Sequence, residues 1–550
     1  MKSYSIDTFR FLLKDRHILF GEYFIILLFS LFPLFRHFPY YGTLYLSWEG
    51  AYRLYLGQVP FRDFGLPMGF GYWIIPAFFF KIFGPYLFTL VKAQAFINII
   101  SALAFRSILK SFKVQPPIRV LAVLLYIISY SYINYWPWYN HTVIVFELIG
   151  ISFVLKYIFN IQKKFRLFHL FIGAFFIFMS FFTKQDAGAF AFLIGFSLII
   201  CHAIYEKDVT AVVWFLAFYF VIAIGIILPF VPYNIAYWFN YGQPPHYDRI
   251  SLYDFLNILM SDSSWLKFYI LVIVLILIGK SSQFKLFISN KCQVLFTVLI
   301  LGILLEASVI QVTSYMPKNG NIFFHSFAII YIFIFSDLYR KINFRKPFVI
   351  CLVGVLILLW WSPYPWNYAN AVVLKHFPEL VRRDTNRVSI ENYLLDNNSE
   401  ATNNIKWGPA PWRQFSRVDM PEETIKGIED ILNMDVVKEK RENIRLLNMS
   451  ELTPLENIIG CTPEAGNNIP LWYQKNIGMF QSQIDDYASK IKNNYYDVVL
   501  FEYLPRNNGF FPFEIKNVLE KYYQQVNSFL APRGGFTQGP IEVFVKKARQ

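Results

Sequence analysis

Long apolar segments, separated by short charged ones, occupy the first two thirds of the chain. A helix needs roughly 17 to 25 mostly apolar residues to cross a bilayer. Segments of this character lie at about 18–35, 88–109, 120–135, 142–158, 167–182, 188–204, 211–231, 265–278, 294–312, 322–338 and 348–361. The pattern predicts a mostly α polytopic membrane protein with about 11 transmembrane helices.

The last third of the chain has a different pattern. After about residue 363 the long apolar runs vanish, and Asn, Glu and Lys become frequent. "YYDVVLFEYL" and "GPIEVFVKK" are typical of strands, "FEIKNVLEKYYQQV" is typical of a helix between them, and Asp419 is expected to cap a helix in "DMPEETIKGIEDILN". We predict two domains: residues 1–362 in the membrane and residues 363–550 as a small C-terminal α/β soluble domain.

Composition and charge agree with a membrane protein. Hydrophobic residues make up 55% of the chain and charged residues only 16%, whereas soluble domains carry about 25% charged residues. The net charge of +14 does not indicate a nucleic-acid partner, because residues 1–375 hold 30 Lys and Arg against 14 Asp and Glu, while residues 376–550 hold 21 against 23. An excess of Lys and Arg within the membrane part is expected in cytoplasmic loops.

The connections between the spans predict the orientation of the chain. "RSILKSFKVQPPIR", "QKKFR", "KSSQFKLFISNK" and "YRKINFRK" alternate with connections that are poor in Lys and Arg. The positive-inside rule therefore predicts a cytoplasmic N-terminus and an extracytoplasmic C-terminal domain. Two outer loops are long: residues 36–87 are predicted to hold surface helices, and residues 233–264 one amphipathic surface helix.

Ionisable residues occur inside two spans and at the outer ends of others. An acid within a span is costly, so Glu147 and Glu306 are either functional or hydrogen-bonded structural groups. The outer set comprises Glu49, Asp63, His141, Lys184, Asp186, Lys318 and His325. Each of these alone could be an interfacial polar group, but acids and isolated cations facing one aqueous mouth are typical of a site that activates a hydroxyl and receives an anion.

Signatures of several other chemistries are missing from the sequence. No HExxH, paired CxxC, Walker A loop, GxSxG or GxGxxG stands in a suitable context. Zinc hydrolysis, nucleotide-driven pumping and hydride transfer therefore lack their usual parts.

The first outer loop carries a family resemblance. "WEGAYRLYLGQVPFRDFGLPMGF" followed by "FFFKIFG" resembles the pattern A-x-x-L-x-x-G-x-x-P-Y-x-D-x-x-x-P-x-G…FxLFG of the bacterial GT-C integral membrane glycosyltransferases, a group that includes aminoarabinose transferases and protein mannosyltransferases. "FFTKQDAG" resembles their KQ loop. The match covers the membrane half, whereas the tail shares only the general presence of an outward soluble domain.

This resemblance implies a GT-C-like fold and a hexosyl or pentosyl transferase of the EC 2.4 class. The donor would be a polyprenyl-phosphate-linked sugar at the outer face of a bacterial inner membrane, and the acceptor a lipid, a polysaccharide or a protein. A catalytic acid is expected in the first loop: "PFRDF" matches at Asp63, Glu49 matches by position alone, and Thr43 and Leu44 stand where many relatives carry an Asp-Glu pair. Both acids remain candidates for the base.

Transfer from a lipid phosphate needs a carboxylate near the acceptor hydroxyl, and cations or a metal around the departing phosphate. Arg62, Lys184 and Lys318 are the candidate phosphate partners, the apolar spans would hold the prenyl tail among the membrane lipids, and direct displacement would invert the anomeric carbon. No cofactor is assigned, and a divalent metal stays open. Two alternatives remain: a transporter or flippase of lipid-linked sugars, which Glu147 and Glu306 favour, and a non-catalytic membrane receptor.

Overall fold

The computed structural model of the chain describes residues 13–40, 44–131, 135–159, 165–243, 252–261, 263–313, 323–336, 342–360, 405–467, 469–471, 473, 475, 477–504, 512–532 and 539–547, with 373 and 377.

Apolar helices form the first part of the structure. They are α1 (Asp15–Leu31), α2 (Leu44–Tyr55), α3 (Gly71–Phe83), α4 (Leu87–Ser111), α5 (Pro116–Tyr126), α6 (Tyr139–Phe159), α7 (Arg166–Thr183), α8 (Gln185–Glu206), α9 (Thr210–Ile227), α10 (Leu252–Ser261), α11 (Ser264–Gly279), α12 (Phe284–Ser289), α13 (Lys291–Thr313), α14 (Phe323–Phe335) and α15 (Pro347–Trp360). The segments long and apolar enough to cross a membrane are Asp15–Phe35, Leu87–Ser111, Tyr139–Phe159, Arg166–Thr183, Gln185–Glu206, Thr210–Phe230 and Lys291–Thr313. The chain is therefore a multi-pass membrane protein of the mostly α class.

The other four predicted spans fall on shorter helices. α11 and the end of α10 form a pair bent by 80° that together reaches the length of a span. α5, α14 and α15 are apolar but shorter than a span. Within the described ranges there are thus 7 spans, or up to 8 with the bent pair, and the predicted number of 11 is not confirmed.

The first long loop folds into two helices, as the sequence predicts. α2 and α3 pack so closely that a Cβ on Gly50 would come within 2.0 Å of the Trp73 ring. The indole nitrogen of Trp73 donates to the Leu46 carbonyl at 3.1 Å, and that of Trp48 donates to the Pro85 carbonyl at 3.1 Å. Two buried tryptophans with satisfied N–H groups therefore fix the helix pair.

The C-terminal part is a small α/β unit. Its helices are α16 (Glu422–Asn433), α17 (Asp435–Lys440), α18 (Leu455–Ile459), α19 (Phe480–Lys492) and α20 (Phe513–Tyr522). Its main sheet has the order β4 (Leu446–Met449), β5 (Val498–Glu502), β7 (Pro540–Lys546), β6 (Tyr523–Leu530). The first pair is parallel and the other two pairs are antiparallel.

A second, smaller sheet joins the first loop to the tail. β1 (Phe38–Pro39) pairs in parallel with β3 (Val418–Pro421), which pairs antiparallel with β2 (Trp407–Pro409). The predicted cap at Asp419 is wrong, because this residue lies within β3 and the sheet pairing holds its backbone extended. The helix begins only at Glu422.

The strand predictions are confirmed as β5 and β7. The helix predicted in "FEIKNVLEKYYQQV" is right for its first part, which is α20. It is wrong from Tyr523 onward, because the chain there continues directly as β6 in register with β7.

Of the hydrophobic clusters among the described residues, two position the first loop. The spans bury one large apolar cluster. The first-loop helices and the tail bury a second one together, in which Trp48 and Trp73 share a cluster with Val498 and Leu500. The loop and the C-terminal domain therefore fold as one packed unit.

Candidate functional site

Asp63 is the acid of the turn between α2 and α3. Its Oδ2 accepts a hydrogen bond from the Val59 amide at 2.7 Å. Arg62 donates to both carboxylate oxygens, from Nε to Oδ1 at 2.9 Å and from Nη2 to Oδ2 at 2.7 Å. The Arg62 guanidinium, helped by the Val59 amide, holds the pKa of Asp63 below its ordinary value. The carboxylate is therefore ionised at neutral pH.

Glu49, the second candidate acid, lies one turn before Arg53 on α2. Arg53 donates from Nε to Glu49 Oε1 at 2.9 Å, and from Nη1 to Gln58 Oε1 at 2.9 Å and to the Glu464 carbonyl at 2.7 Å. The side chains of Glu49 and Arg53 are only 14% and 7% exposed. Glu49 is thus engaged in a partly buried ion pair at the contact with the C-terminal domain.

Backbone bonds join the Asp63 turn to the C-terminal domain. The Gly466 amide donates to the Asp63 carbonyl at 2.8 Å. The Gly65 amide donates to the Ile469 carbonyl at 2.9 Å, and the Leu471 amide donates to the Gly65 carbonyl at 3.0 Å. The turn is therefore paired with the domain in the manner of a short strand.

Lys184 lies where α7 ends and α8 begins. Its Nζ donates to Asp186 Oδ2 at 2.7 Å. Asp186 also accepts from Thr313 Oγ1 at 2.5 Å and, through Oδ1, from the Ala187 amide at 2.8 Å. Because Thr313 is the last residue of α13, this ion pair ties three helix ends together.

The first loop packs directly against the helix end that leads to Lys184. A Cβ on Gly69 would fall 1.7 Å from the Phe182 carbonyl oxygen, and one on Gly71 would fall 2.3 Å from Thr183 Oγ1. This close approach brings the two segments with a family resemblance, "PFRDFGLPMGF" and "FFTKQDAG", into contact. Each segment contributes a carboxylate paired with a cation.

The two acids inside the spans face each other. Glu147 on α6 and Glu306 on α13 are 1% and 0% exposed. Their carboxyl groups lie within hydrogen-bonding reach of each other. In the part of the chain that the structure describes, no other group donates a hydrogen bond to their four oxygens. Lys184 and Asp186 lie near enough to Glu306 to interact with it electrostatically.

Three sequence candidates remain to be placed, His325, His141 and Lys318. His325 is buried on α14, with Nδ1 at 2.8 Å from the Tyr269 hydroxyl of α11. His141 lies in the first turn of α6, where its amide donates to the Trp138 carbonyl at 3.0 Å. Lys318 falls outside the described residues. The candidates that lie on contacting segments are those of the first loop and of the α7–α8 connection, and they remain candidates for the site.

An apolar cavity of about 330 Å³ lies between α5, α11, α14 and α15. Its lining side chains are all apolar or aromatic, among them Leu121, Leu125, Tyr269, Phe333, Val353 and Ile357. A cavity without charged groups suits a hydrocarbon chain, because an ion or a sugar would lose its hydrogen bonds to water there.

Two residues of the site, Arg53 and Thr313, were not singled out by the sequence. Arg53 carries one signal, since its separation of four residues from Glu49 favours a helical ion pair. Thr313 carries no signal, because its contact with Asp186 depends on how α13 packs against α8.

Glu456 of the C-terminal domain also escapes the sequence patterns. It is 6% exposed, and one of its oxygens accepts from Asn448 Nδ2 at 3.1 Å while the other has no donor among the described residues. Burial, and then the charge of Glu49, raise the pKa of Glu456 to about 7. The contact between the first loop and the domain therefore contains a group that titrates near neutral pH.

Comparison with known proteins gives similarity only at the level of solved structures. No family model matches the sequence, and no curated protein matches it significantly. The apo crystal structure of ArnT from Cupriavidus metallidurans is similar over 96% of this chain and 98% of that chain, with 10% identity and a TM-score of 0.48. The same protein bound to undecaprenyl phosphate gives equal coverage, 10% identity and a TM-score of 0.46.

An archaeal structure is similar over less of its own length. The oligosaccharyltransferase of Archaeoglobus fulgidus, in complex with Zn and sulfate, has 11% identity and a TM-score of 0.39 over 93% of this chain and 71% of that chain. With TM-scores below 0.5, none of these similarities carries an argument about function. The functional case rests on the residues of this chain.

Among the described residues, no group of three or more His, Cys, Asp or Glu side chains is arranged to hold a metal ion.

Proposed function

We propose that the protein is a glycosyltransferase that moves a sugar from a polyprenyl-phosphate donor to an acceptor hydroxyl. The observation that carries this proposal is the contact between two segments that each hold a carboxylate–cation pair, Arg62 with Asp63 and Lys184 with Asp186. Such pairs supply an acceptor for the proton of the attacking hydroxyl and partners for the departing phosphate. The resemblance of the same two segments to GT-C glycosyltransferases supports this reaction.

Asp63 is the stronger candidate for the base. Glu49 forms its ion pair with Arg53 at the contact with the C-terminal domain. Asp63 instead forms an ion pair with Arg62, whose side chain is 45% exposed and can turn toward a ligand. When the donor phosphate draws Arg62 away, Asp63 loses the partner that lowers its pKa and becomes a better proton acceptor.

The proposed step is a single displacement. The acceptor oxygen forms a bond to the anomeric carbon while the bond from that carbon to the phosphate oxygen breaks, and the hydroxyl proton passes to Asp63. The electron pair of the broken bond leaves with the polyprenyl phosphate, and the configuration at the anomeric carbon is inverted.

Lys184 is the second proposed partner of the donor phosphate. Asp186 holds its ammonium, and Thr313 and the Ala187 amide hold Asp186, so the cation is positioned before the donor arrives. A positioned cation loses less side-chain entropy when a phosphate binds. Lys318 stays a third candidate on sequence grounds.

The donor's hydrocarbon chain needs an apolar environment. We propose that part of it occupies the cavity between α5, α11, α14 and α15, where the lining side chains are apolar or aromatic. The reaction would take place at the outer face of a bacterial inner membrane, with residues 363–550 outside, as the Lys and Arg distribution predicts.

Mass spectrometry of cell-surface glycans tests the proposal. Cells that lack the protein should lose one sugar from a surface lipid, polysaccharide or protein, and the wild-type gene should restore it while Asp63→Asn does not. The missing sugar would also name the donor. Unchanged surface glycans in cells that lack the protein would contradict the proposal.

A transporter of lipid-linked sugars is the second candidate, and the Glu147–Glu306 pair favours it. Buried acids inside a bundle of spans often mark an ion or substrate path. The two functions differ in whether the bond between the sugar and the lipid phosphate breaks. In vesicles loaded with a labelled lipid-linked sugar, a transporter moves the intact lipid across the membrane, whereas a transferase releases polyprenyl phosphate.

A further inference from the structure

We propose that the C-terminal domain is a positioning element of the active site, which holds the Asp63 turn through a clamp. The clamp consists of Arg53 and the segment of residues 463–467 and 469–471. The inference rests on the proposed function, since it takes Asp63 as the base. It assigns a role to the domain and to Arg53, neither of which contacts the reacting groups directly.

Arg53 is the first component of the clamp. Its guanidinium bonds at once to Glu49 on its own helix, to Gln58 at the start of the turn and to the Glu464 carbonyl of the domain, at 2.7 to 2.9 Å. It also lies 5.5 Å from the centroid of the Phe64 ring, which follows Asp63. One buried cation therefore connects α2, the turn and the domain.

The clamp segment is the second component. Its backbone makes three hydrogen bonds to Asp63 and Gly65, as described above, and the Pro463 carbonyl accepts from Gln58 Nε2 at 2.9 Å. These backbone bonds hold the peptide that directly follows the Asp63 side chain and so restrict the direction in which its carboxylate points. Without them the turn would keep its internal bonds, the bond from the Asn234 amide to the Phe61 carbonyl and the exposed Arg62 pair, but none to the C-terminal domain's backbone.

The domain also holds the segment that encloses the turn from the other side. A Cβ on Gly65 would come within 2.6 Å of the Tyr237 ring. The hydroxyl of Tyr237 accepts from Gln483 Nε2 at 2.8 Å, and the Gly478 amide donates to Asn240 Oδ1 at 2.9 Å. The Asp63 turn is therefore enclosed between two segments that the C-terminal domain holds.

This geometry matters because a base must be held close to its productive position. A displacement of about 1 Å can cost about 100-fold in rate. Loosening the clamp should therefore lower kcat, while the donor KM, which depends on the cations and the apolar cavity, should stay nearly constant.

The first experiment compares Arg53→Gln and Arg53→Lys with the matched control Lys516→Gln, which removes a similarly buried cation from an ion pair within the domain. We expect kcat to fall by about 10- to 100-fold in Arg53→Gln, with the donor KM within about twofold of wild type. Arg53→Lys should recover part of kcat, because Lys keeps the charge but not the fork of donors. Lys516→Gln should stay near wild type.

A second pair of variants avoids removing a charge. Gly466→Pro deletes the amide that donates to Asp63, whereas Gly466→Ala keeps it and adds a Cβ whose nearest contact among the described residues is Ile469 at 3.6 Å. We expect kcat to fall in the Pro variant and not in the Ala variant. Equal kcat values in these two variants would overturn the proposal.

Amide hydrogen exchange gives a readout that does not depend on activity. In Arg53→Gln and Gly466→Pro, exchange should rise in peptides that cover residues 58–66 and 463–471 and stay unchanged in the spans. Unchanged exchange in both peptides would contradict the proposed clamp. Increased exchange in these peptides together with a wild-type kcat would contradict its role in positioning Asp63. If the wild-type protein transfers no sugar at all, the proposed function fails, and the exchange data still decide whether the clamp exists.

Discussion

The amide of Gly466 donates a hydrogen bond of 2.8 Å to the carbonyl oxygen of Asp63. The first of these residues belongs to the C-terminal domain, and the second is the acid with the strongest motif match in the first loop. The first loop therefore supplies the proposed base, and the C-terminal domain holds its backbone in place. The same contact includes a hydrophobic cluster that the loop and the domain share.

Lys184→Ala should weaken binding of the lipid donor. A hydrogen bond to a charged group contributes about 1.5–3 kcal/mol, so the affinity for polyprenyl phosphate should fall by about tenfold or more. Lys184→Arg should retain part of the affinity. Binding can be measured on purified protein in nanodiscs, with Lys285→Ala at an exposed lysine as the control. An unchanged affinity in folded Lys184→Ala would remove this residue from the site.

Glu456→Gln should stabilise the protein above neutral pH. The pKa of Glu456 in the folded protein is about 7, whereas an unfolded Glu titrates near about 4.3. The folded state therefore binds the proton more tightly, and wild-type stability declines as pH rises from about 4.3 to about 7. The amide avoids this loss, so the variant should gain stability on the order of 1 kcal/mol or more at pH 8 and nothing near pH 4.

Thermal unfolding across this pH range checks the Glu456 prediction. Glu520→Gln, which changes an exposed acid of the same domain, should show no such pH-dependent gain. A destabilised Glu456→Gln at pH 8 would mean that the carboxylate has a stabilising partner, and the account of the contact with Glu49 would be wrong.

Glu306→Gln should leave thermal stability unchanged or raise it. Glu147 and Glu306 present four oxygens to one another without another donor among the described residues, and an amide supplies the missing N–H group. We expect the Tm to rise by about 0–4 °C, measured in detergent. A clear fall in Tm would show that the pair holds a stabilising partner such as a cation. A loss of lipid movement without a loss of sugar transfer would favour the transporter function.

Much of the fold can be predicted from the sequence, because the periodicity and the length of an apolar segment are local properties. Every predicted span coincides with an apolar helix, yet the described parts of α5, α14 and α15 are shorter than a bilayer requires, so the predicted number of 11 spans is not confirmed. The change from helix to strand at Tyr523 was not predictable, because a short amphipathic segment fits either structure. Its pairing with β7 makes it a strand.

The site was predicted less completely, because its contacts are long-range. The motif match selected Asp63 and Lys184 as candidates, and their position in apolar runs selected Glu147 and Glu306. Nothing local indicates that the last two meet. The contacts of Arg53 and the burial of Glu456 depend on where the C-terminal domain packs against the first loop. Residue spacing in the sequence does not predict that position.

The most direct test of the central claim is the release of polyprenyl phosphate by the purified protein in nanodiscs. The donor would be a lipid-linked sugar from the organism's own membranes, and Asp63→Asn and Glu49→Gln would be compared with wild type. Replacing the catalytic base by its amide should lower the rate of transfer by at least about 100-fold. We predict that wild type converts the donor, that Asp63→Asn loses at least this factor and that Glu49→Gln loses less. Near wild-type release by a folded, membrane-inserted Asp63→Asn would contradict the account.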